Sequence, residues 1–250
     1  MGDSMKYNAI FFDLDGTVVD SLQDIADAVN HTMAHFGLPQ RTPDALKPHL
    51  GWGVGHLMRA ILPELSQAQV DAVLDHYRPY YARHAGDKSR PFDGILPMME
   101  RLKAEGLLLA ILSNKPDAAV QPLVRQYFSD LVSLAVGELE GVRRKPHPDM
   151  VKAAARQLDV PLARCLSVGD TEVDIDTAKN AGIDCACVTW GFRTREQLKQ
   201  AGASIIVDTP EELEKMINTD LSLSDKSVFT CFPTTGKVSD TASARPRGSG

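Results

Sequence analysis

The chain has 250 residues, a net charge of −6 and 43% apolar residues, with 27 Lys and Arg against 33 Asp and Glu. This length holds one large domain or two modest ones, and the apolar content suffices for a real core. The acidic balance excludes a surface built for nucleic acid, the lack of a long apolar run excludes a spanning helix, and four scattered cysteines exclude a disulfide framework. The opening Met1-Gly2-Asp3-Ser4-Met5-Lys6 lacks the apolar stretch of a signal peptide. The expectation is therefore a soluble, cytoplasmic protein, with Met1–Ser4 read as residues added ahead of a natural start at Met5.

In chain order, the run Ala9-Ile10-Phe11-Phe12 predicts a short buried strand that ends abruptly in Asp13, Asp15, Gly16 and Thr17. Residues two apart on a strand point to one side, so Asp13 and Asp15 are expected to share a pocket. Two close carboxylates resist joint ionisation unless a cation joins them or one holds a proton. Ser21 then reads as the cap of a helix whose apolar positions Leu22, Ile25, Ala26, Val29, Met33 and Phe36 repeat with helical period, with Gly37 as the stop. A short helix carries Leu57, Met58, Ile61 and Leu62. A longer one over Ser66–His84 sets Val70, Val73, Leu74, Tyr77 and Tyr81 on one stripe, with Pro79 as a kink point. Residues 18–90 thus read as an all-helical insert. The segment Gly51-Trp52-Gly53-Val54-Gly55 within it follows no strand, so it is not a dinucleotide-binding loop.

From Asp93 helices and strands alternate. A helix at Ile95–Glu105 leads into the strand Leu107–Leu112, and a helix at Ala118–Tyr127 into Leu131–Val136. Helices at Pro148–Leu158 and Val173–Ala181 precede the strands Cys165–Val168 and Cys185–Thr189, and Ser204–Val207 makes a last short strand. Continuous apolar strands alternating with helices imply a doubly wound parallel α/β sheet, a Rossmann-like core covered on both faces. The Ser-, Thr-, Gly- and Pro-rich residues 221–250 break the pattern and are expected to form a disordered tail.

Ligands in such sheets bind outside the carboxyl ends of the strands. Three apolar strands run straight into polar residues: Asp13 and Asp15 after the first, Ser113-Asn114-Lys115 after Leu112, and Gly169-Asp170 after Val168, with Asp174 one helical turn further on. A loop segment, Arg143-Arg144-Lys145-Pro146-His147-Pro148-Asp149, joins them. Gathered on one rim, these carboxylates offer the hard oxygen ligands that magnesium takes together with a substrate phosphate. Ser113, Asn114 with its backbone N–H, and Lys145 offer donors to that phosphate. A carboxylate facing a phosphate can attack phosphorus and form an acyl phosphate. Its neighbour can protonate the leaving oxygen and then deprotonate a water.

The set Asp13-Leu14-Asp15-Gly16-Thr17, Ser113-Asn114-Lys115-Pro116, Lys145-Pro146 and Gly169-Asp170-Thr171-Glu172-Val173-Asp174 resembles, in order, the four motifs of haloacid dehalogenase-type phosphatases. The likeness spans about residues 6–218, with Val18 where the family commonly has Leu and Thr171 where it commonly has Ser. It implies a catalytic core over 1–17 and 91–220 and a helical cap domain over 18–90. It implies Asp13 as nucleophile and magnesium ligand, and Asp15 as general acid/base whose backbone carbonyl also binds the metal. Ser113, Asn114 and Thr17 would hold the phosphoryl group, Lys145 would neutralise charge, and Asp170 and Asp174 would complete the metal site. The nearest likeness is to phosphoglycolate phosphatases, which implies a small phosphorylated metabolite as substrate and a monomer or homodimer. Inorganic pyrophosphatase, sugar-phosphate phosphatase and phosphomutase are the competing activities, and an inactive phospho-ligand-binding protein is the competing class. A dehalogenase needs no Asp15, and a phosphonate hydrolase needs a cap lysine that neither Lys47 nor Lys88 obviously supplies.

By the same resemblance Gly51–Gly55 lies where the cap's substrate loop falls, which would set Trp52 or Arg59 against the leaving group; a plain helix connector is the competing reading. Asp27, His31 and His35 share a helix face at metal-ligand spacing but read as an exposed polar stripe. Cys185 and Cys187 read as small buried residues of a strand.

Overall fold

A computed structural model describes residues 6–219, so the tail over 221–250 and the first residues lie outside it. Six strands form one parallel sheet: β1 (Ala9–Phe12), β4 (Leu108–Pro116), β5 (Leu134–Glu138), β6 (Cys165–Gly169), β7 (Asp184–Val188) and β8 (Ile205–Val207). Their spatial order is β5-β4-β1-β6-β7-β8. The chain builds outward from β1 through β4 and β5, then returns to the other side of β1 for β6, β7 and β8. The crevice beyond the carboxyl ends of β1, β4 and β6 is therefore the topological switch point where ligands bind in open α/β sheets.

All four residues of β1 are buried, which is why its sequence shows no polar alternation. Ile10 and Phe12 pack on one face with Ile95, Met98 and Leu102 of α5 (Ile95–Ala104). Ala9 and Phe11 pack on the other with Val151, Ala154 and Ala155 of α7 (Asp149–Gln157). Helices α6 (Asp117–Tyr127), α8 (Glu172–Ala181), α9 (Arg195–Gln200) and α10 (Pro210–Asn218) complete the layers.

The segment after β1 carries α1 (Leu22–His35), α2 (Pro43–Leu46), α3 (Val54–Ile61) and α4 (Gln67–His84). Ile25, Val29 and Met33 of α1 meet Leu57 and Met58 of α3 and Val73, Tyr77 and Tyr81 of α4 in a separate apolar core, which Phe192 of the α/β part joins. The ends of this segment are not helical. The strands β2 (Val19–Asp20) and β3 (Arg90–Pro91) pair antiparallel where the chain leaves and returns. Asp24 ties the same neck by accepting from the backbone N–H groups of Lys88 and Ser89 and from Ser89 Oγ.

Local boundaries shift for identifiable reasons. Ser21 occupies the N-cap position of α1, but its buried hydroxyl makes no capping bond. β5 starts at Leu134 rather than Leu131, because the N–H groups of Leu131 and Val132 still bond to Phe128 O in the turn closing α6. β4 runs on to Pro116, with a register shift between Leu112 and Pro116, so Ser113, Asn114 and Lys115 stand on the strand itself. Helices α9 and α10 are unforeseen. Each opens on a threonine, Thr194 and Thr209, whose side chain accepts from the backbone N–H three residues on. Among the described residues no helix is long and apolar enough to cross a membrane.

Candidate active site

The rim residues meet as their strand ends require. Asp13 continues the β1 ladder by one step, its N–H donating to Val168 O at 2.8 Å. Lys145, carried by the loop after β5, reaches across the crevice and donates to Asp13 Oδ1 and to Asp174 Oδ1, each at 2.7 Å. Asp174 sits at the third position of α8, where its Oδ2 accepts from the N–H and Oγ1 of Thr171 in a reciprocal capping box. Asp170 accepts from Thr17 Oγ1 at 2.9 Å and from the Phe192 N–H at 2.7 Å.

Asp13, Asp170 and Asp174, all buried, each bring a carboxylate oxygen within 4.8 Å of the others. Burial pushes the Asp13 carboxyl up to about 7, with Asp174 and Asp15 adding to the rise and Lys145 opposing it. Burial first, then Asp174 and Asp13, hold Asp170 well above the usual carboxylate range. Burial works to lower the Lys145 ammonium, but Asp13 and Asp174 outweigh it and hold the group above an ordinary lysine. Two of the three carboxylates share one ammonium, and the crowded acidic groups sit where water cannot dissipate their charge. A hard divalent cation fits this donor set, since carboxylate oxygens are its preferred ligands and its charge offsets theirs. The backbone closes in to make room. A Cβ on Gly191 would lie 2.3 Å from Asp170 Oδ2, and one on Gly169 would lie 2.1 Å from Asp174 Cγ.

Asp13 and Asp15 line one cavity, as their two-residue spacing predicts, together with Ser113 and Asn114. Ser113 Oγ accepts from the Lys115 N–H at 3.2 Å, which leaves its hydroxyl proton to donate. Asp15 Oδ1 accepts from Lys115 Nζ at 2.8 Å, and the same ammonium bonds to Tyr81 OH of α4. Lys115 and the two tyrosines, Tyr77 and Tyr81, complete the wall nearest Asp15.

Other sequence-predicted residues are turned to protein partners. The Asn114 amide donates to Gly51 O and Lys145 O and accepts from the Lys145 N–H, so its side chain joins three segments. Thr17 is fully buried behind Asp170 and is engaged by it. Trp52 turns to donate its indole N–H to Glu172 Oε1 at 2.8 Å. Arg59 is held by Leu65 O and Gln67, away from the cavity. None of Thr17, Trp52 and Arg59 lines the cavity that holds Asp13 and Asp15.

A further side chain, Arg193, braces the rim although none of the four motifs contains it. It lies beyond the end of β7, where Thr189-Trp190-Gly191-Phe192-Arg193 follows the apolar strand. Its guanidinium donates to Lys47 O, Pro48 O and Leu50 O of the segment before α3, and to both carboxylate oxygens of Glu172. With Trp52 on Glu172 and Asn114 on Gly51, residues 47–53 are fastened to three places on the α/β rim. Arg193→Ala strands several of these partners, and hydrogen bonds to a charged group contribute roughly 1.5–3 kcal/mol each. The expected result is a fall of about 10- to 100-fold in kcat/KM, with faster proteolytic nicking at 47–53. Unchanged kinetics would show that the fastening has no bearing on turnover.

His31 stacks on Tyr80 with centroids 3.7 Å apart, His35 stacks on His76, and Asp27 pairs with Lys88. The metal-ligand spacing on α1 therefore yields an aromatic stack, and among the described residues only Asp13, Asp170 and Asp174 cluster as a metal site would require. Cys185 and Cys187 lie on one side of β7 with their sulfurs 4.0 Å apart, as free thiols.

Comparison with known proteins agrees with this geometry. Residues 10–188 match the sequence profile described as haloacid dehalogenase-like hydrolase. The phosphoglycolate phosphatase of Xanthomonas campestris pv. campestris is 30% identical over 207 residues, covering 82% of this chain and 94% of its own length. The N-acetylmuramic acid 6-phosphate phosphatase of Pseudomonas aeruginosa is 27% identical over 220 residues, covering 87% and 97%. Among solved structures, a Lactobacillus delbrueckii subsp. bulgaricus protein with a provisional phosphoglycolate phosphatase name superimposes with a TM-score of 0.83 at 38% identity, over 86% of this chain and all of its own.

Proposed function

The chain belongs to the haloacid dehalogenase-like hydrolases and is a phosphatase, and from that premise we propose that Asp13 attacks the phosphorus of a small phosphomonoester, phosphoglycolate being the favoured substrate. The observation that carries this reading is the pairing of roles in one cavity: Asp13 anchored by Lys145, and Asp15 beside it with a separate partner.

Asp13 Oδ forms a bond to phosphorus as the ester P–O bond breaks, and Asp15 gives a proton to the departing oxygen. The resulting acyl phosphate at Asp13 is attacked at phosphorus by a water that gives its proton to Asp15, which releases phosphate and restores both carboxyl groups. Ser113 donates to a phosphoryl oxygen. Lys145 keeps Asp13 oriented and offsets negative charge that develops beside it. Magnesium, which hydrolases of this family generally use, would be held by Asp13, Asp170 and the backbone carbonyl of Asp15 with Asp174 close by, and would supply charge neutralisation for the transferring group. Transfer of this kind depends on positioning and electrostatics more than on covalent chemistry.

The relatives' names support the substrate class. Glycolate and muramic acid both contain a carboxylate, which in phosphoglycolate lies next to the phosphorylated carbon. We place this action in the cytoplasm, on a small metabolite and in a monomer or homodimer. The test is kcat/KM for phosphoglycolate, inorganic pyrophosphate and hexose phosphates with magnesium and after chelation. The highest value is expected for phosphoglycolate, with activity lost on chelation. A higher value for pyrophosphate or a hexose phosphate would overturn the substrate assignment.

A further inference from the structure

Beyond its polar residues the cavity has an apolar wall of Ile25, Leu50, Val54, Leu57 and Phe192, with Tyr77 and Tyr81 beside it. A leaving group that carries a carboxylate gains nothing from such a wall and would lose its hydration there. It needs a cation. Among the residues lining the cavity one is a lysine or arginine, Lys115, beside a single histidine, His49. The other basic side chains near the site are committed elsewhere: Lys145 to Asp13 and Asp174, Arg59 to Leu65 O and Gln67, Arg144 to Glu138, and Arg193 to Glu172 and the 47–53 segment.

Lys115 is also built for the task. Its side chain is 1% exposed, and its ammonium lies over the Tyr81 ring at 4.7 Å from the centroid. Asp15 and Tyr81 OH engage two of its three N–H donors, which leaves one donor in a residue that lines the cavity. Its position on β4, two residues past Ser113, sets it beside the phosphoryl-binding hydroxyl and next to the acid/base carboxylate. That is where the far end of a short phosphorylated acid would fall.

We infer that Lys115 is the specificity-determining residue of this phosphatase: its ammonium takes the carboxylate borne by the leaving group, with Tyr81 OH presenting the helical cap's share of the same contact. This rests on the phosphoglycolate reading above.

The test compares phosphoglycolate with ethyl phosphate, in which a methyl group replaces the carboxylate, on wild type and on Lys115→Met and Lys115→Arg. Wild type is expected to prefer phosphoglycolate by about 100-fold or more in kcat/KM. In Lys115→Met, phosphoglycolate is expected to lose about 100-fold, chiefly through KM, while ethyl phosphate falls by a clearly smaller factor and the preference collapses. Lys115→Arg, which keeps the charge, is expected to retain part of the preference and provides the comparison should Lys115→Met fold poorly. Equal losses on both substrates, with the wild-type preference intact, would overturn the assignment and leave Lys115 as a support for Asp15. Absence of any wild-type preference for phosphoglycolate would overturn the substrate reading itself, so the two failures are distinct.

Discussion

Asp13→Asn is expected to slow phosphate release from p-nitrophenyl phosphate by about 10⁴-fold or more, because removing the group that forms the covalent intermediate removes the step that the rest of the site supports. The amide has the carboxylate's shape but neither its charge nor its nucleophilicity. Unfolding can be separated from chemistry, because burial disfavours the ionised carboxylate at this position. The Asp13 carboxyl is raised to about 7 from an ordinary 3.8. A carboxyl raised on folding contributes stability below its unfolded value, and that contribution is lost as pH rises through the folded one. Without metal, Asp13 therefore works against the fold increasingly between about pH 4 and 7, and a neutral amide does not. The variant should match or exceed the wild-type melting temperature at pH 7.5 in the presence of a chelator, while its activity is gone. Borohydride added to acid-quenched wild-type enzyme in steady turnover should convert Asp13 to homoserine by reducing the acyl phosphate. A variant retaining more than about 1% activity, or no homoserine at position 13, would point to direct attack by water instead.

What the sequence made legible, and what it hid, follows from the range of the interactions. Asp13, Ser113 and Asp170 could be read because each interrupts an apolar run at the point where a buried strand must end, and the topology of a parallel sheet brings such ends together. The spacing of Asp13 and Asp15 needed only strand periodicity. Side-chain direction in the cap was not legible. Trp52 turns to Glu172, which is 120 residues away, and no local pattern announces that partner. Arg59 faces its own helix end and the next loop, an arrangement set by Leu65 O and Gln67. Thr17 stands inside a recognisable motif, yet its hydroxyl is committed to orienting Asp170. Lys115 was visible within Ser-Asn-Lys, but its juxtaposition with Tyr81 exists only once α4 packs across the end of β4. Arg193 and the caps of α9 and α10 were legible in principle: the same strand-end and threonine-cap rules that located other elements apply to Thr189–Arg193, Thr194 and Thr209.

Lys145→Met is expected to lower stability at pH 7.5 without metal by about 3–5 kcal/mol, the usual consequence of removing one partner from a buried charge pair. Turnover should fall by about 10²- to 10³-fold, as when one preorganised electrostatic donor is removed. The methionine fills similar volume, so the deficit reports charge more than packing. Lys145 is held above the ordinary lysine value by Asp13 and Asp174 despite burial. Its ammonium is therefore fully charged at neutral pH and would be lost only on titration through that raised value. Asp13 and Asp170 are both raised, so protons can take the place of the missing ammonium in acid. The difference between variant and wild type should thus be smallest near pH 5 and widen through pH 7 and above. Magnesium should narrow it, since a divalent cation bound only by the folded state stabilises that state and relieves the same crowding of carboxylates. Urea unfolding across this pH range, with chelator and with magnesium, measures both effects. A deficit independent of pH and unaffected by magnesium would mean that Lys145 contributes only bulk. The wild type would then have to hold Asp13, Asp170 and Asp174 apart by backbone placement alone, with the ammonium contributing nothing to their coexistence. A deficit that follows pH and metal would instead identify one lysine, set between two carboxylates 2.7 Å away on either side, as the group that lets the rim fold before its cation arrives.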